Sequence, residues 1–159
     1  MSCKVTFIQP EVAMKHYDDE KNFMLTDSIG FLINRASNDL SNEVDRALKD
    51  FGLTGHQMAI LLALEAHLAA TPFELAKLGG VDPGLMSRML DKLEERGFLE
   101  RSRSVEDRRV VNVTLTSHGH DVAARLPAIA CGPVNARLNE FSEEEYRQLR
   151  QLLRKFVGN

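Results

Sequence analysis

The sequence predicts a mainly α-helical chain with one small β wing, and three observations carry that expectation. Apolar residues recur at helical spacing through most of the 159 residues. A stretch from Asp82 to Gly97 has a helix cap at one end and a glycine stop at the other, and a shorter helix precedes it. Directly after Gly97 the apolar period switches to alternation, for just long enough to make two short strands. Two helices joined by a tight turn and followed by a hairpin make a winged helix-turn-helix lobe, placed at 54–116. The apolar helical stretches at 28–53 and 117–159 flank it, and residues 1–27 form an N-terminal arm outside the pattern.

Bulk composition narrows the class. The length suits one compact domain with a real core. The net charge is −3, yet the acids concentrate in DDE at 18–20 and EEE at 143–145, so a local basic surface remains available elsewhere. Two cysteines, Cys3 and Cys131, are too few for a disulfide framework. No basic-then-apolar leader opens the chain, and no apolar run approaches the roughly 20 residues of a membrane span. A cytoplasmic protein without membrane contact is the expectation.

In chain order, residues 1–24 have mixed character and a proline at 10. A long helix is expected from Asp27 or Ser28, with Ile29, Leu32, Ile33, Ala36, Leu40, Val44, Ala47, Leu48 and Phe51 as its stripe and Gly52 as its stop. That stripe is wide enough for two contacts, one with the lobe and one with a partner chain. Arg35 stands among Phe31, Leu32, Ile33 and Ala36. A guanidinium beside an apolar wall suits an aromatic carboxylate, through a bidentate charge-assisted pair. The alternative is a structural ion pair with Asp39 at i+4 or with an acid on another element.

Thr54-Gly-His-Gln57 and Thr71-Pro-Phe-Glu74 match capping boxes and open helices at 55–69 and 72–79. The first is expected to bury Met58, Leu61, Leu62, Leu64 and Leu68, and Gly79-Gly80 ends the second. Asp82 then N-caps a helix at 83–96, Pro83 fits its first position, and Val81 with Met86 sits at the staple positions. Met86, Met89, Leu90 and Leu93 form the apolar stripe. The opposite face carries Gly84, Ser87, Arg88, Asp91 and Lys92, short and polar first, charged one turn later. Such a face can enter a major groove, where base edges differ. In the hairpin, Val111, Val113 and Leu115 alternate with Asn112 and Thr114, and Arg108 and Arg109 mark the loop. These arginines would reach phosphates or a narrow minor groove. Asp107 helps only if it pairs with an arginine and fixes its fork; the plain alternative is a solvated charged turn.

Past Thr116 the pattern is helical but carries Pro127 and Pro133, which should kink or break it. Ser142-Glu-Glu-Glu145 opens a last helix with Tyr146, Leu149, Leu152, Leu153 and Phe156 on one face, a stripe that needs a cover. No catalytic constellation, phosphate loop or cofactor fingerprint is readable. His56, His67, His118 and His120 lack the spacing of a zinc motif, so neither cofactor nor metal is expected.

Leu93-Glu-Glu-Arg-Gly-Phe-Leu-Glu-Arg101, then Glu106-Asp-Arg-Arg109, then Val113-Thr-Leu-Thr116 with Gly119, resemble the MarR family of bacterial transcription regulators. The resemblance runs from about Ser28 to the C-terminus. It implies a homodimer whose terminal helices interlock, and a double-stranded operator as partner. The DNA-contact positions would be Asp82, Pro83, Gly84, Ser87, Arg88, Lys92, Asp107, Arg108 and Arg109. The family's wing pattern places Asp107 two positions before the minor-groove arginine, Arg109. Many relatives bind a small aromatic acid or phenol between the dimer helices and the lobe, which makes Arg35, Phe31 and His56 the candidate ligand contacts. Others sense peroxide through an N-terminal cysteine, so thiol-based regulation through Cys3 is the alternative. A winged helix that binds protein in place of DNA is a third class, against which Arg108, Arg109 and the polar helix face argue.

Overall fold

The computed structural model describes residues 23–158, and the N-terminal arm, Cys3 included, lies outside the described residues. The chain divides into two compact units, 1–37 and 38–159. In the first, a 3-10 turn, Leu25–Asp27, leads to Ser28. The Ser28 hydroxyl donates to the Leu25 carbonyl at 2.8 Å and accepts from the Phe31 amide at 3.3 Å, which caps helix α1, Ile29–Ala47.

The second unit begins within α1. The helix does not run on to Gly52: it ends at Ala47, and a 3-10 turn at Lys49–Phe51 follows. Gly52, at φ +60°, closes that turn. Helix α2, Gly55–Glu65, opens with the Thr54–Gln57 box, and α3, Pro72–Gly79, with the Thr71–Glu74 box. The sequence overran α2 by four residues. The chain turns at His67, which adopts φ +53°, and Leu68 is left 67% exposed rather than packed. Helix α4, Pro83–Glu95, buries Met86, Met89, Leu90 and Leu93 as expected, and Gly97 (φ +72°) turns the chain into β1, Leu99–Arg103.

Strand β2, Val111–Leu115, pairs antiparallel with β1 in the register Leu99↔Leu115 to Arg103↔Val111. Its free edge donates from the Val113 amide to the Ala70 carbonyl at 2.8 Å, so the hairpin is bound to the α2–α3 turn as well. Thr116 serves two ends at once. Its hydroxyl donates to the Gly97 carbonyl at 2.6 Å and accepts from the Gly119 amide at 3.0 Å, which caps α5, Ser117–Ala123. The core of this unit joins Leu48, Leu61, Leu90, Leu93, Leu99, Val113 and Leu126, all nearly or fully inaccessible.

Of the two C-terminal prolines expected to kink or break the helix, one coincides with a break. The break falls before Pro127, which sits in the first turn of α6, Leu126–Leu138, where a missing N–H costs nothing. Pro133 lies inside α6 and does not end it. Gly132 precedes it and has no Cβ to meet the ring, which removes part of the clash that usually drives a pre-proline residue out of the helical region. Cys131 on this helix is exposed and not packed. Helix α7, Glu143–Val157, follows its Ser142–Glu145 box and has no buried residue: Leu152 is 63% exposed and Phe156 65%. Among the described residues no helix is long and apolar enough to cross a membrane.

Candidate nucleic-acid interface

The site begins with the first turn of α4. One oxygen of Asp82 accepts from the Gly84 amide at 2.8 Å and the Leu85 amide at 3.1 Å, so its charge is held at the positive end of the helix. Pro83, Gly84, Ser87, Arg88 and Lys92 are exposed. Burial of the Met86–Leu93 stripe turns this face outward, and the ends of Arg88 and Lys92 make no hydrogen bond or ion pair among the described residues. Asp91 does not share that freedom. Its carboxylate accepts from Arg101 Nη2 at 2.7 Å.

Arg101 on β1 also donates from Nε to Glu94 at 2.9 Å, and its backbone amide donates to the other Glu94 oxygen at 3.0 Å. The Arg101 guanidinium hydrogen-bonded to Glu94 holds that carboxyl below the usual glutamate range, and the same contact raises Arg101. Sequence reading did not find this cluster. Its only trace there was a pair of acids one turn apart on α4 and an arginine in the following strand. A second tie runs from the end of α4: Arg96 donates to the carbonyls of Gly52 at 2.6 Å and Phe51 at 2.7 Å, and lies 4.8 Å over the Phe98 ring.

At the hairpin tip, Ser104 and Val110 close the loop through a backbone bond at 2.9 Å. Within it the Ser104 hydroxyl accepts from the amides of Glu106 and Asp107. Asp107 does not grip a guanidinium: its Oδ1 accepts from the Arg109 backbone amide at 2.9 Å, and among the described residues no ion pair joins it to Arg108 or Arg109. Both arginine side chains are exposed. Asp107 therefore shapes the turn through its backbone, by a local Asx bond, and not through a salt bridge. Arg103, exposed at the base of the loop, adds a cation that the sequence reading passed over.

The candidate ligand residues fall in different units. Phe31, half-buried, and exposed Arg35 lie on α1 in the first. His56, on the first turn of α2, lines a groove of about 530 Å³ in the second, with Leu85, Met89, Lys92 and Arg96. His120 meets Glu65 at 2.6 Å and His118 stacks on Phe98, both in structural contacts.

Comparison with known proteins agrees with this geometry. The profile described as "MarR family" matches residues 53–111, from the turn before α2 to the start of β2. The HTH-type transcriptional repressor Rv2887 of Mycobacterium tuberculosis is 33% identical over 128 residues, 79% of this chain and 92% of that protein. The multiple antibiotic resistance protein MarR of Escherichia coli is 30% identical over 127 residues, 79% of this chain and 86% of that one. A crystal structure of a mutant MarR from E. coli complexed with operator DNA superimposes with a TM-score of 0.74 at 27% identity, covering 80% of this chain and 92% of that one. Such likeness spans nearly the whole of these relatives, which are regulators and not enzymes, and the chain belongs to the MarR family as a DNA-binding, winged helix-turn-helix transcription regulator.

Proposed function

We propose that the protein is a homodimeric repressor that occupies a pseudo-palindromic operator in the cytoplasm and is released by a small aromatic acid or phenol. One observation carries the DNA reading to named residues. Within a single compact unit, α4 exposes Ser87, Arg88 and Lys92, and the hairpin exposes Arg108 and Arg109, with the ends of all four cations unengaged by the described residues. In this reading Ser87, Arg88 and Lys92 read or line the major groove beside Pro83 and Gly84, Asp82 shapes the helix start, and Arg109 enters the minor groove.

Dimerisation is supported by the stripe on α7 and by the exposed Val134 and Phe141 before it, apolar side chains that one chain leaves in water. Interlocked helices from 28–50 and 117–157 would cover it. The effector reading draws on Arg35 beside Phe31, and on His56. The groove at His56 has the volume of a small-molecule site, and it borrows Lys92 from the face assigned to DNA. Titration of benzoate and of phenol into the protein–operator complex tests release. Saturating concentrations that leave the operator bound, and leave the thermal midpoint of the free protein unmoved, would remove this ligand class.

A further inference from the structure

We infer that Arg101, clamped by Glu94 and Asp91, is a positioning residue for operator binding, because it locks the hairpin to the recognition helix at one angle. The inference rests on the reading that the wing arginines touch DNA.

The clamp is two-sided. On α4, Asp91 and Glu94 stand one turn apart on the flank that faces β1. Glu94 accepts from the backbone amide, Nε and Nη2 of Arg101, and Asp91 accepts from that same Nη2. A planar fork held at several points fixes orientation as well as distance, which a lysine in its place would not. The arginine side chain is only 27% exposed, so the contact is partly shielded from solvent. On the other edge, the Val113 amide donates to Ala70, and the Ala70 amide donates to Glu74 of the α3 box. Arg101 and Val113 are register partners. Each of the two turns its amide away from the other strand, so at this one register position the hairpin is tied on one edge to the start of α3 and on the other to the C-terminal half of α4.

The consequence is for binding more than for folding. DNA engaged by α4 sees the wing arginines at an effective concentration set by how narrowly the hairpin is held. A hairpin free to swing must be ordered on binding, and that cost appears as lost affinity. The two acids sit close to a polyanion in this arrangement. Charge alone therefore says that neutralising Glu94 improves binding, and positioning says the reverse.

The test is a double-mutant cycle on operator affinity at two salt concentrations, with Glu94→Gln and Arg101→Met each made in the native chain and in the Arg108→Ala/Arg109→Ala background. Expected is a loss of about tenfold for each single change in the native chain, with a shallower salt dependence, and little further loss where the wing arginines are absent. Thermal midpoints measured alongside keep binding apart from folding; should either variant not fold, Asp91→Asn takes its place. If Glu94→Gln binds as well as or better than the native chain, or loses as much without the wing arginines as with them, the positioning role is overturned. If Arg108→Ala/Arg109→Ala itself binds normally, it is the wing reading that fails.

Discussion

At the scale of single residues, Gly119 shows a position decided by a neighbour. It lies inside α5, where helix propensity alone favours alanine by about 0.5–1 kcal/mol. A Cβ there would come within 1.9 Å of the Phe98 carbonyl oxygen, which belongs to backbone and is already engaged by the Thr116 amide. Gly119→Ala should therefore destabilise the chain by about 1–3 kcal/mol, the cost of overpacking. Urea unfolding reads the sign, and a more stable variant would show that α5 shifts freely. Asp107 offers a second residue-scale test. Because it accepts from the Arg109 amide, Asp107→Asn keeps the turn and Asp107→Ala loses it. Operator affinity should fall for alanine, be retained for asparagine, and fall little further when Asp107→Ala is added to Arg109→Ala. Equal losses for asparagine and alanine would mean that the carboxylate acts by its charge.

The elements owe their ends to short polar signals, and some of these titrate. Backbone bonds from Ala70 and from Ser142 are the main cause that holds the carboxyls of Glu74 and Glu145 below the usual range, and the Arg101 guanidinium does the same for Glu94. A carboxyl lowered in the folded state contributes stability above its unfolded pKa, near about 4.3, and that contribution is lost as pH falls through the folded value. The chain should thus weaken progressively on acidification below about pH 5. Glu74→Gln preserves the box, as Gln57 does at Thr54, while removing the titration. Unfolding midpoints followed from neutral pH to below the glutamate range should fall less steeply for this variant; parallel curves would dissociate the box from the acid response. On α4, Arg88→Ala should cost about 1–3 kcal/mol of operator binding and relax specificity at one base position if it reads a base. A loss that is uniform across sequences would assign it to phosphate instead.

For the whole molecule, the uncovered stripe of Leu149, Leu152, Leu153 and Phe156 sets the expectation. Sedimentation at micromolar concentration should give a dimer, and Leu152→Glu with Phe156→Glu should give a monomer that still folds its helix-turn-helix. A stable monomer of the native chain would leave the α7 face unexplained and the two-fold operator without a basis. In the dimer, the two copies of α4 should contact half-sites about 34–36 Å apart, one helical turn of DNA. Operators with half-sites moved by half a turn should bind far more weakly, since the second α4 then faces the wrong side of the duplex.

The fold class, the three capping boxes, the apolar face of α4 and the two strands were legible in the sequence, because each depends on residues within one or two turns of each other. Asp82 caps its own helix, and Met86 to Leu93 need only the helical period to define a face. Local pattern misjudged the places where two tendencies compete within a few residues. Leu68 fits the α2 stripe, but the turn at His67 ends the helix first; a kink or break was expected at Pro133, but α6 continues through it, with Gly132 removing part of the clash. Tertiary structure alone decided what crosses the chain. Arg101 meets Glu94 and Asp91, seven and ten residues away, and Arg96 reaches Phe51 and Gly52, more than forty away. Each such pair requires that a helix and a strand, or two helices, already stand at a given angle. No period or spacing encodes that angle; it emerges from the packing of Leu90, Leu93, Leu99 and Val113 into one core.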